Sequence, residues 1–147
     1  MYSHAYPDPV SQGHFYAAVP VKRLIAWVID TVLIALMVAI AVPFTGFLAL
    51  FFLGGLYLVI NFLYRWIGLS RHSATLGMRV MGVEFRDAQG YRLDVATAFA
   101  HVLGYSLSVA FCFPQVISLL MMGFTRRGQG LTDLVLGTVL VNRTALY

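Results

Sequence analysis

Apolar residues fall into three long blocks, separated by short polar stretches. Leu24 to Val42 carries Asp30 as its only charge, and Phe47 to Tyr64 carries none. At 1.5 Å per residue each is close to the ~30 Å needed to cross a hydrocarbon layer. Between them "PFTG" (Pro43–Gly46) breaks the helical pattern with a proline and a glycine, so the two blocks predict a helical hairpin with a very short loop. The third block, Thr97 to Met122, contains no Asp, Glu, Lys or Arg, but Pro114 sits inside it. A proline there kinks or splits a helix. The block either spans as one tilted helix or folds back as two segments, about 97–112 and 114–124. Residues 65–95 differ in character. "RVMGVEFRDAQGYRLD" alternates apolar and polar positions around the turn "DAQG", which predicts a short β-hairpin outside the membrane. The last apolar stretch, "LTDLVLGTVLVNR", is too short to span. Residues 1–20 have no period and read as a disordered tail, leaving 21–143 as one membrane domain.

Composition agrees with this pattern. Of 147 residues 60% are hydrophobic and 11% charged, whereas a soluble domain is about a quarter charged. The chain is therefore read as an all-α polytopic membrane protein: a two-helix transmembrane hairpin, a cytoplasmic β-hairpin linker, and a third segment that spans or folds back near Pro114. The single cysteine, Cys112, excludes an intrachain disulfide. The net charge of +4 is better read as membrane topology than as nucleic-acid binding. Lys22 and Arg23 precede the first helix, and Arg65, Arg71, Arg79, Arg86 and Arg92 follow the second. Both ends of the hairpin, and the N-terminus, are thus expected on the cytoplasmic side of a bacterial plasma membrane. Arg126, Arg127 and Arg143 would join them if the third block folds back, which the charge rule prefers and helical length does not.

Arg23 and Asp30 share a helix face, being seven residues apart. Arg23 alone suits an interfacial anchor. Asp30 lies about two turns inside the apolar layer, where a buried acid costs at least ~2.5 kcal/mol and must face protein or water. Candidate partners form two polar stripes at helical spacing, Tyr57, Asn61 and Tyr64 on the second helix, and His101, Tyr105, Ser108 and Cys112 on the third block. Such stripes serve either to hold helices together or to line a solute or proton path, in which His101 is the candidate proton carrier. Asp133 either caps a short helix after Gly130 or pairs with Arg23 at the membrane edge. The expectation is one polar cluster of Arg23, Asp30 and Asp133.

Arg23 at the start of the first helix, Asp30 within it, and Asp133 in the late "DLVLGTVLV" resemble the RDD family of bacterial membrane proteins, named for one Arg and two Asp. The middle stretch "SATLGMRVMGVEFRDAQGYRLDVATAF" is similar to that family's linker, in which a "TLGK/R" element precedes a hairpin. The likeness covers about 20–143. His101 is a departure, since many members carry arginine near that position. The resemblance implies a small membrane domain, for which transport has been suggested.

An enzyme is not expected. The "GxGD" signature of intramembrane aspartyl proteases is replaced by "GLTD", and there is no nucleophile elbow, metal-ligand spacing or phosphate loop. Neither cofactor nor metal is implied. Two functions fit: a non-catalytic accessory or assembly module bound to partners, or an oligomeric ion- or proton-coupled transporter of a small solute. Either way the partners are the lipid bilayer and further copies or a larger membrane complex, not nucleic acid.

Overall fold

The computed structural model describes residues 10–11, 13–87 and 89–142; residues 1–9 of the expected tail and Arg143 lie outside them. Helix α1 (Val19–Phe44) runs without interruption until Pro43 and Gly46 end it. After a 3-10 turn over Leu48–Phe52 the chain returns as α2 (Leu53–His72). The second helix therefore starts later than the apolar run and continues two turns past Tyr64. It does so because Arg65 is buried and bonded within the protein, so this charge does not mark the helix end. Ser73, in the left-handed region, closes α2 by donating its N–H to the Leu69 carbonyl. Thr75 then caps a one-turn helix, α3 (Leu76–Val80), by accepting from the N–H of Met78.

Strand β1 (Val83–Arg86) follows α3. The turn after it is present, with the Asp87 carboxylate accepting from the N–H groups of Gln89 and Tyr91. The expected hairpin is not. β1 pairs antiparallel with β2 (Val139–Asn142), in the register Val83 with Asn142 and Phe85 with Leu140. The reason is burial. All four residues of β2 and the first three of β1 are buried, whereas Tyr91 and Arg92 beyond the turn are exposed. Leu93 turns inward, its N–H donating to Ser73 Oγ, and Asp94 caps α4 (Val95–Phe111). The all-α reading is thereby corrected by a two-stranded sheet built from segments far apart in the chain.

The third block folds back. α4 and α5 (Phe113–Phe124) meet at Cys112 and bend by 115°. After α5 the chain is again at the end where α1 begins: Arg23 donates to the Gly128 carbonyl, and Lys22 donates to Asn142 Oδ1 at 2.7 Å. A short helix, α6 (Leu131–Leu136), leads into β2. Part of the expected tail is ordered by this return. Asn142 donates to the carbonyls of His14 and Ala17, and Tyr16 is buried against Val139 and Val141. The main core, with Val19, Leu69, Phe85, Val102 and Leu140, sits at this same end. By contrast the hairpin presents Leu36, Ile40, Phe51 and Leu58 outward, which suits helices whose solvent is lipid.

α3 crosses α1 closely at Gly77. A Cβ on Gly77 would run into the backbone carbonyl of Ala26 and stand 2.7 Å from Asp30 Oδ1. Gly77→Ala should therefore destabilise the protein by about 3 kcal/mol, combining overpacking with a disturbed carboxylate. Gly55→Ala, where nothing lies within 4 Å of the new methyl, should be neutral or stabilise by about 0.5–1 kcal/mol. Thermal unfolding in mild detergent compares the two.

Candidate functional site: two buried carboxylates around one cavity

Asp30 is fully buried. An ionised carboxylate in that position needs donors for both oxygens. Oδ1 accepts from the Tyr64 hydroxyl at 2.6 Å and from the Gly77 N–H at 2.8 Å, and Oδ2 accepts from the Thr75 hydroxyl at 2.5 Å. The Arg65 guanidinium stands 3.8 Å from Oδ2, near enough to balance the charge without a direct hydrogen bond. Arg65 is itself held on two sides. Its Nε donates to Asn61 Oδ1 at 2.9 Å, and its guanidinium lies 4.5 Å over the ring of Tyr105. Tyr105 in turn accepts from Trp27 Nε1 of α1. One acid thus ties α1 to α2 and α3, and its counter-cation ties α2 to α4.

Asp133 is the second buried acid. Arg23 Nη1 donates to Oδ2 at 2.6 Å, and His101 Nε2 lies 2.7 Å from Oδ1. The Gly130 N–H also donates to Oδ2, which makes Asp133 the third residue of α6 reaching back to its first turn. Its two expected roles, helix capping and pairing with Arg23, coexist. Burial pushes the Asp133 carboxyl up, but Arg23 and His101 outweigh that and hold it well below the ordinary carboxylate range. The His101 ring packs 4.4 Å from that of Phe85, and the Arg23 guanidinium lies 5.4 Å from the same ring. The sheet therefore forms one wall of this ion cluster.

The single cluster expected of Arg23, Asp30 and Asp133 is divided by the structure. Arg23 and Asp133 come together, and Asp30 takes its donors elsewhere. The cause is that α3 passes directly over Asp30 at Gly77 and supplies a backbone N–H and a hydroxyl, so Arg23 is left to reach the C-terminal segment. All three still border one cavity of about 490 Å³, together with Arg65, His101 and Tyr105. Of the two stripes, Asn61, Tyr64, His101 and Tyr105 join the clusters, and Ser108 is buried on α4. Tyr57 and Cys112 are exposed. Arg65, Thr75 and Gly77 were not singled out beforehand. The signal for Arg65 was its place four residues after Asn61, with Trp66, Ile67 and Leu69 continuing the apolar run beyond it.

Asp133 generates a pH prediction. A carboxyl lowered on folding contributes stability that is complete above its ordinary value, 3.8, and is lost as pH falls from there towards the folded value. Asp133→Asn should therefore lower stability at neutral pH by about 3 kcal/mol, by leaving the Arg23 charge uncompensated. It should also lose less on acidification than the wild type. Melting curves in detergent between about pH 2 and 5 test this; parallel acid limbs would contradict it.

Comparison with curated proteins and with solved structures gives no match. A family model described as RDD family covers residues 17–137, most of the chain including both carboxylate clusters, and the protein belongs to the RDD family of small membrane proteins.

Proposed function

We propose that this chain is a non-catalytic membrane module of the bacterial inner membrane that assembles with partners, as further copies of itself or as a subunit of a larger complex. The observation that carries the reading is the saturation of its buried acids. Every carboxylate oxygen of Asp30 and Asp133 receives hydrogen bonds from groups of the same chain, spread over α1, α2, α3, α4 and the start of α6. Groups so engaged fix which helices meet, the usual use of polar residues between membrane helices. Lys22, Arg71, Arg79, Arg86 and Arg126 lie at the end of the molecule where α1 starts and α2 ends, which favours a cytoplasmic placement for that end and for the N-terminus. The elbow between α4 and α5 would then enter and leave the membrane on the cytoplasmic side.

A second reading has its own support. Arg23, Asp30, Arg65, His101 and Asp133 border one cavity, and ionisable groups inside a membrane domain are the usual mark of an ion or proton path. In that reading the chain is an oligomeric transporter coupled to ions or protons.

The variant Asp30→Asn separates the two. Its amide keeps an acceptor for Tyr64 and Gly77 and offers Thr75 a donor, so the helices remain joined while the charge is removed. On the assembly reading, the variant purifies from mild detergent with the same associated chains as the wild type, and ion flux in liposomes stays at the protein-free level for both. A pH-dependent wild-type flux that Asp30→Asn abolishes, with assembly intact, overturns the assembly reading in favour of transport.

A further inference from the structure

A second concavity, of about 510 Å³, lies between α1, α2 and α3 and touches the Asp30 cluster only through Tyr64. Its walls are apolar over most of their length. Ile60, Leu63 and Ile67 follow one another at steps of three and four along α2, with Met37 of α1 and Leu76 of α3 beside them. The stripe does not continue apolar. Its next member, Arg71, is a cation, and His72 and Arg79 border the same end. The groove thus has an apolar shaft and a basic head. From Ile60 to Arg71 the helix rises about 16 Å, close to half of the ~30 Å hydrocarbon layer. That is the depth of one lipid leaflet, with the cations at headgroup level.

Among the described residues the basic head has no counter-charge. Each acid among the described residues is engaged elsewhere. Asp30 is closed by Tyr64, Thr75 and Gly77, and Asp133 by Arg23 and His101. Glu84 pairs with Arg86, while Asp87 and Asp94 hold a turn and a helix cap. Arg71 and Arg79 are exposed, and neither forms an ion pair among the described residues. Charge complementarity calls for an anion here, and the shaft calls for a chain of methylenes.

We propose that the groove between α1, α2 and α3 is a binding site for an anionic phospholipid, with the phosphate at Arg71 and Arg79 and one acyl chain along Ile67, Leu63 and Ile60. Tyr64 belongs to both sites: its ring borders the groove and its hydroxyl donates to Asp30. An occupied groove therefore packs against the residue that closes the Asp30 carboxylate.

The test uses the full chain in neutral detergent, titrated with phosphatidylglycerol, with phosphatidylcholine of the same chains, and with inorganic phosphate, read by thermal shift and native mass spectrometry. Phosphatidylglycerol should bind and raise the melting temperature, whereas the zwitterionic lipid and free phosphate should do neither. Arg71→Gln with Arg79→Gln should weaken phosphatidylglycerol binding about 25-fold, at about five-fold per cation beside an anionic headgroup. Both side chains are exposed, so the unliganded melting temperature should not move. Arg92→Gln with Arg126→Gln removes the same charge outside the groove and should leave binding unchanged. The proposal is overturned by undiminished binding in the Arg71 and Arg79 variant, by equal loss in the Arg92 and Arg126 variant, or by equal effects of phosphatidylcholine or phosphate alone.

Discussion

An ionised carboxylate removed from water has to be surrounded by donors, and a helix hairpin exposed to lipid cannot supply enough of them from its own backbone, which is already paired. That constraint acts on Asp30 and on Asp133, and much of the architecture answers it. Asp30 draws α3 across α1 so closely that only a glycine fits at position 77. Asp133 draws the C-terminal segment to the start of α1, where Arg23 meets it. Once α6 is held there, β2 lies beside β1, and the elbow near Pro114 follows as the route by which the chain returns. The pairs need not add much net stability, because desolvation opposes their attraction. Their effect is to make alternative pairings of the same helices costly, since each would leave a charge without its partner.

The sequence made legible whatever depends on local pattern. The two long helices, the break between them, the split near Pro114 and the isolation of Asp30 in an apolar run all follow from periodicity and from the known effects of proline and charge. The pairing of Arg23 with Asp133 was legible only in combination with the fold-back. What escaped was non-local. "GVEFR" reads equally well as half of a hairpin or as a strand awaiting a distant partner, and Val139–Asn142 settles the matter only through burial. Arg65 looked like a charge marking a helix end because pattern alone does not distinguish a cation at the interface from one covered by Asn61 and Tyr105. Gly77 carries no local signal of its role, because its importance lies in how closely α1 approaches it.

The two polar clusters also organise the surface. By engaging the acids internally, they leave Arg71 and Arg79, at the ends of α2 and α3, without an ion pair among the described residues. A membrane protein built this way carries its positive charge outward, at one end, beside apolar grooves. Closure within and basicity at the rim have the same origin.

The central claim is that the two carboxylates have separate partners, with Arg23 belonging to Asp133 and not to Asp30. Double-mutant cycles on unfolding in a membrane mimetic measure this directly, using Arg23→Leu combined with Asp133→Asn and, separately, with Asp30→Asn. The account predicts a coupling of about 1.5 kcal/mol or more for Arg23 with Asp133 and less than about 0.5 kcal/mol for Arg23 with Asp30. Equal couplings, or a larger one with Asp30, would contradict it.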